Sequence, residues 1–297
     1  MKKVAVISSL LLIALFAVVF YLLNHILPYS PIKPIKFKNI LKANDLLGDS
    51  VNWKKIIIKT KDSLSLEAYY ILSNQQKNGT IIMLHGIADN KESMISISNF
   101  FNSLGFNTLL LDLRAHGDSQ GEYCTFGYYE KYDVMTVIDT LSAIDTIKNI
   151  GIWGHSLGGA IAIQTIGIDK RLKFGIIQST FDELRKVILE YSADMFFGLK
   201  SEFIVNYILE KSEVIANFKV DSVKPSNFAK NINVPMLYFH GNQDEKIPIE
   251  FNKNNFQNTN SKFKKFVVID GAKHNDLWLK QEVLINKEIQ KFLLLTH

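Results

Sequence analysis

A serine set between glycines, seven histidines and a few carboxylates in loops are the residues of this 297-residue chain best suited to covalent chemistry. Gly154-His155-Ser156-Leu157-Gly158-Gly159 follows an apolar run and opens a helical pattern. A strand–turn–helix of this G-x-S-x-G form lifts the serine hydroxyl above a sheet, beside helix amides that favour developing negative charge. The turn is tight enough that side chains two residues either way would collide, which calls for Gly154 and Gly158. Ser156 is the expected nucleophile, and a serine nucleophile needs a base. His25 lies in an apolar N-terminal run, His297 is the last residue, and His85, His116, His155 and His240 stand beside glycines at tight turns or strand ends. His274 follows the final strand, whose carboxyl end faces the same crevice, and is the expected base. The acid that orients it should lie between serine and histidine in chain order. Asp244, in His240-Gly241-Asn242-Gln243-Asp244, fits that order, with Glu245 and Asp276 as alternatives. The backbone N–H groups of Leu157 and of Ile87, in His85-Gly86-Ile87-Ala88, are the expected oxyanion donors. Together these groups would perform acyl transfer through an acyl-enzyme.

The elements that must hold them follow from hydrophobic period. Candidate strands are Trp53–Thr60, Leu64–Ile71, Thr80–His85, Asn107–Asp112, Ile150–Gly154, Phe174–Ser179, Pro235–His240 and Lys264–Ile269. Several are continuous apolar runs, as parallel strands covered on both faces require. The first two lie close together and alternate, which predicts an antiparallel hairpin at one edge. Helical patterns occupy Lys91–Leu104, Tyr128–Ile147, Leu157–Ile168, roughly Phe251–Phe256, and Leu277–Leu294. This alternation predicts an α/β fold with a doubly wound, mostly parallel sheet. About fifty residues separate the strand ending near Ser179 from the one starting at Pro235, more than one crossover needs. The segment from approximately 181 to 232 is expected to form a helical cap. Its residues Leu184, Ile188, Tyr191 and Met195 make one apolar helical stripe. Phe196, Phe197, Phe203, Ile204 and Tyr207 add apolar content, and both signs of charge are interspersed. That surface predicts a preference for apolar acyl chains of short to medium length.

Hydrophobic residues make up 47% of the chain and charged residues 21%, which excludes a disordered protein. The net charge of +5 comes from scattered lysines with three arginines, Arg114, Arg171 and Arg185, a pattern that argues against nucleic acid as a partner. The single cysteine, Cys124, allows no internal disulfide and no cysteine-based zinc site. Met1-Lys2-Lys3 precedes an apolar run from Val4 to Leu23. At about 1.5 Å per residue such a helix crosses the hydrocarbon layer of a bilayer. It is longer than a signal-peptide core and lacks a small-x-small cleavage pattern, so residues 1–32 are expected to be an uncleaved single-pass anchor and spacer. Pro28, Pro31 and Pro34 would stiffen that spacer. Lys2 and Lys3 before the span are balanced by Lys33, Lys36, Lys38 and Lys42 after it, so charge does not set the orientation. A short basic start followed by an apolar run nevertheless resembles a signal anchor, which would put residues 33–297 on the non-cytoplasmic side.

From about Lys54 to Phe292 the chain resembles the α/β-hydrolase superfamily, in its serine aminopeptidase-like and monoacylglycerol lipase-like branch. The resemblance is carried by Leu84-His85-Gly86, by Leu111-Asp112-Leu113-Arg114-Ala115-His116-Gly117-Asp118-Ser119, by the Ser156 turn, by the His240–Asp244 stretch and by the His274 loop. Members usually continue Asp-x-Arg with Gly-x-Gly-x-Ser, and Ala115 replaces the first glycine. The resemblance implies an α/β-hydrolase fold with an eight-stranded sheet, helices on both faces and a cap. It also implies bracing roles for Asp112 and Arg114, no metal or organic cofactor, and a small-molecule acyl substrate. An esterase, a thioesterase, a peptidase and an acyltransferase can share this machinery, and a catalytically silent, membrane-bound binding module can share the fold.

Overall fold

A computed structural model describes residues 2–38, 43–48, 51–75, 78–144 and 149–296. Lys42, Ile147 and His297, invoked above, lie outside the described residues. Eight strands form one sheet: β1 (Trp53–Lys59), β2 (Ser65–Ile71), β3 (Gly79–Leu84), β4 (Phe106–Leu111), β5 (Ile150–His155), β6 (Leu172–Gln178), β7 (Met236–Gly241) and β8 (Lys264–Ile269). Their order is β1-β2-β4-β3-β5-β6-β7-β8. The edge hairpin β1–β2 is antiparallel and β2 also runs antiparallel to β4, while the remaining pairs are parallel. Every residue of β3, β4 and β7 is buried, the physical reason their sequences are mainly apolar on both faces.

The helices, in chain order, are α1 (Lys2–Tyr21), α2 (Tyr29–Ile32), α3 (Ala43–Leu47), α4 (Ile95–Ser103), α5 (Glu130–Ile144), α6 (Leu157–Ile166), α7 (Leu184–Met195), α8 (Glu202–Ala216), α9 (Pro225–Ala229), α10 (Ile249–Asn258) and α11 (Leu277–Leu293). One apolar core joins α5, α6 and the segment between β6 and β7 to one face of the sheet. A second core packs α4 and α11 on the other. The segment between β6 and β7 is helical, as expected, and supplies α7, α8 and α9.

Two features differ from the sequence-based picture. The prolines after α1 do not make an extended spacer: Tyr29–Ile32 turns as a short helix, and Ile32 is completely buried in the larger core. Its carbonyl accepts from the Cys124 N–H at 2.7 Å, and the Pro28 carbonyl accepts from Ser212 Oγ at 2.6 Å. Second, Lys91, read from the sequence only as the start of a helical pattern, is completely buried. Its ammonium is fully buried among Asp112 (2.8 Å), Asp118 (3.1 Å), Glu92 (3.1 Å) and Glu67 (3.3 Å). This hub ties β2, β4 and the loop after β3 together behind the site.

Candidate active site

Ser156 stands between β5 and α6 with φ 54 and ψ −116, a left-handed backbone that few non-glycine residues adopt. Close packing of the flanking glycines enforces it. A Cβ at Gly154 would lie 2.3 Å from the Gly158 carbonyl oxygen, and one at Gly158 would lie 2.1 Å from that of Leu84. Thr180 Oγ1 donates to the Ser156 carbonyl at 2.6 Å and braces the turn from β6. Ser156 Oγ is 3.0 Å from His274 Nε2, and His274 Nδ1 is 2.8 Å from Asp244 Oδ2. The three side chains come from loops at the carboxyl ends of β5, β7 and β8, so parallel strands deliver them to one end of the sheet. Of the other acids weighed, Asp276 accepts the Lys273 N–H at 2.6 Å, and Glu245 is exposed. Ile87 and Leu157 line the same cavity as Ser156, and Leu157 is the first residue of α6.

A family profile described as serine aminopeptidase, S33, matches residues 75–181, which hold Ser156 but neither Asp244 nor His274. Among curated relatives, the uncharacterized membrane protein YNL320W of Saccharomyces cerevisiae is 26% identical over 76% of this chain and 75% of its own. The lysophosphatidylserine lipase ABHD12 of Mus musculus is 24% identical over 79% of this chain and 58% of its own. Among solved structures, the Pyrococcus furiosus esterase Pf2001 superposes with a TM-score of 0.73 at 23% identity, covering 88% of this chain and 97% of its own. This chain's fold is that of the α/β-hydrolases. Within that fold, four further side chains shape this site.

Sequence reasoning set aside His240 as a strand-end residue. It is fully buried, and its Nε2–H donates to the Ile247 carbonyl at 2.9 Å with Asp244 Oδ2 at 3.2 Å. The signal was its spacing four residues before Asp244 in the turn after β7. Burial opposes charge on Asp244. Hydrogen bonds from His240, His274 and the Ile247 amide outweigh it and hold the carboxyl well below the usual carboxylate range. His155 is half-buried beside His274, with ring centroids 5.0 Å apart, and its Nε2–H donates to the His274 carbonyl at 3.1 Å. Desolvation, with His274 beside it, lowers its pKa to about 3, so it positions the base as a neutral ring. His85, also desolvated and lowered to about 4, accepts the Leu113 N–H at 3.1 Å and donates to the Gly86 carbonyl at 2.7 Å. It thereby fixes the loop that carries the Ile87 amide. Tyr191, foreseen only as a member of the apolar stripe, faces Ser156; burial, then the Asp244 charge, pushes its pKa up to about 12.

Two spaces meet at Ser156. A cavity of about 180 Å³ is walled by apolar side chains including Phe126, Phe181, Val187, Ile188, Met195 and Phe196, and by Ser30 and Pro31 of the segment after α1. On the other side a cleft of about 900 Å³ carries Asp89, Ser93, Lys246, Asn275 and Glu282 beside Trp278 and Leu279. Among the described residues no three His, Cys, Asp or Glu side chains are grouped to hold a metal ion.

Proposed function

We propose that this protein is a membrane-anchored serine hydrolase that cleaves carboxylic esters or thioesters of small-molecule acyl substrates through an acyl-enzyme. The observation that carries the reading is the hydrogen-bonded series Ser156–His274–Asp244 at the junction of a narrow apolar cavity and a wide polar cleft. Ser156 Oγ attacks the acyl carbonyl as His274 Nε2 takes its proton, and Asp244 stabilises the resulting imidazolium. The oxyanion faces the Leu157 and Ile87 amides at the positive end of α6. Collapse breaks the bond to the alcohol or thiol, which leaves with the proton from His274. Water then repeats the cycle, gives up its proton to His274 and releases the acid and free Ser156.

The acyl chain occupies the apolar cavity and the leaving group the polar cleft. An esterase among the similar structures and a lysophosphatidylserine lipase among the relatives support an ester over a peptide bond. We read residues 1–32 as anchor and connector and 33–297 as the hydrolase domain, with a cap at about 181–232. The exposed, apolar α1 and a relative named as a membrane protein support the anchor. The domain is assigned to the non-cytoplasmic side, which protease access in right-side-out vesicles tests.

The deciding experiment is labelling by a fluorophosphonate. Wild type should be labelled and Ser156→Ala should not, with turnover falling on the order of 10⁶-fold in the mutant. Equal labelling of both would overturn Ser156 as the nucleophile, and labelling of neither would return the protein to a silent binding module. A preference for aminoacyl amides over esters would favour the peptidase, and acyl transfer to an added alcohol in place of water the acyltransferase.

A further inference from the structure

Helix α8 runs beside the chain that leaves α1, and in the same direction. Tyr207 OH donates to Asn24 Oδ1 at 2.7 Å, and Ser212 Oγ donates to the Pro28 carbonyl at 2.6 Å. Five residues of α8 thus match four residues of the exit segment. Asn24 is the first residue after the apolar run Val4–Leu23. Phe203 precedes Tyr207 by four residues, about 6 Å along the helix towards the apolar end. Extending the parallel alignment of Tyr207 with Asn24 and Ser212 with Pro28 puts it level with Phe20 and Tyr21, within the span of α1. Phe203 is 82% exposed, and the turn before α8 presents Phe197 at 104% and Leu199 at 62%. Phe197 and Gly198, with φ 54 and 90, turn the chain between α7 and α8. Lys200 is paired with Glu190, and Glu202 is the remaining charge in residues 195–204. Grouped exposed apolar side chains of this size need a covering surface, and aromatic rings suit a membrane interface.

We propose that the turn between α7 and α8 is a second membrane contact, with Phe197, Leu199 and Phe203 seated in the bilayer that α1 crosses. Met195 and Phe196, on the same turn, line the acyl cavity, so the cap-side end of that cavity faces lipid. A substrate whose acyl chain already lies in the bilayer then reaches Ser156 without crossing water. The inference rests on the proposed anchor and deepens the hydrolase reading by naming a bilayer-borne acyl ester as the substrate class.

The test uses the full chain in phosphatidylcholine nanodiscs, with an environment-sensitive fluorophore on Phe197→Cys or Phe203→Cys. Native Cys124 is fully buried and does not compete. Val214→Cys on α8 and Phe263→Cys serve as controls, since both positions are exposed and Val214 lies about 16 Å along the helix from Phe203. Doxyl-labelled lipid should quench the fluorophore several-fold more at 197 and 203 than at 214 and 263. Equal quenching at all four positions, or release of the full chain from the nanodisc, overturns the proposal. Fluorophosphonate labelling of the same samples separates the two readings: quenching without labelling removes the hydrolase and keeps the membrane contact. With labelling intact, Phe197→Asp combined with Phe203→Asp should slow a bilayer-borne monoacyl ester about tenfold and leave a water-soluble acetyl ester within about twofold. Equal effects on both esters would overturn the assignment of the substrate class.

Discussion

The two carboxylate oxygens of Asp244 have different neighbours. Oδ1 accepts the backbone N–H groups of Lys246 and Ile247 at 3.0 and 2.9 Å, whereas Oδ2 lies 2.8 Å from His274 Nδ1 and 3.2 Å from His240 Nε2. Asp244→Asn is therefore held in one orientation, because its carbonyl oxygen must stay on the two amides. The new NH₂ falls on the Oδ2 position and donates to His274 Nδ1. That forces the ring proton onto Nε2, 3.0 Å from Ser156 Oγ, where the base needs a lone pair. The wrong tautomer should lower kcat by about 10⁴-fold, equivalent to about 5 kcal/mol in the barrier, with KM little changed. Asp244→Ala leaves Nδ1–H free to bond water, so it should be less impaired than the asparagine variant. Steady-state hydrolysis of a chromogenic butyrate ester measures both, with thermal melting to confirm that each variant is folded. An asparagine variant within tenfold of wild type, or faster than the alanine variant, would refute Asp244 as the orienting acid.

The apolar cavity of about 180 Å³ slightly exceeds one of about 150 Å³ that admits benzene, so acyl chains of roughly six to eight carbons should fill it. kcat/KM should rise about fourfold per added carbon up to that length, and Val187→Phe should shorten the optimum. Lys91→Met leaves the fully buried Asp112 without its cation and should cost about 3 to 5 kcal/mol in denaturant melts, partly recovered by adding Asp112→Asn. His85, His116 and His155 are desolvated, with pKa values lowered to about 4, 3 and 3. The unfolded chain therefore binds more protons than the folded one below about pH 6.5, so stability should be full above that value and fall steadily towards pH 4. A flat Tm over that range would contradict the neutral, desolvated rings.

The parts legible in the sequence were those with strong local signals. β3, β4 and β7 are covered on both faces, so burial leaves them mainly apolar and the strand bounds fall within a residue or so of expectation. The Ser156 turn was legible because steric exclusion at Gly154 and Gly158 leaves a short motif. Asp244 and His274 lie 30 residues apart, and chain order together with the topology of a parallel sheet linked them. What escaped depends on contacts between distant segments. His240 looks like any strand-end histidine until the turn after β7 folds Asp244 back against it. Lys91 reads only as the start of a helical pattern until Glu67 of β2, its neighbour Glu92, and Asp112 and Asp118 of the loop after β4 converge on it. Ala115 adopts φ 62 in the loop after β4, where related motifs carry glycine, and the sequence marked the departure without its conformation.

The exit from α1 gives the sharpest instance, because it joins two features the sequence kept apart. Three prolines in seven residues suggest a spacer that holds a domain away from a membrane. Yet Pro31 at the third position of a four-residue helix breaks no hydrogen bond, since the first turn has free N–H groups in any case. The turn that results drives Ile32 into the core and sets Ser30 and Pro31 in the cavity wall. Hydrogen bonds from Tyr207 and Ser212 then tie the exit segment to α8. Lys36 continues the attachment to the Ser119 carbonyl at 2.9 Å, and Lys38 pairs with Asp118 at 3.2 Å, beside the Lys91 hub. A segment attached at both ends cannot act as a flexible tether. It fixes the angle between α1 and the domain, and thereby the face of the cap that the proposed anchor turns towards the membrane.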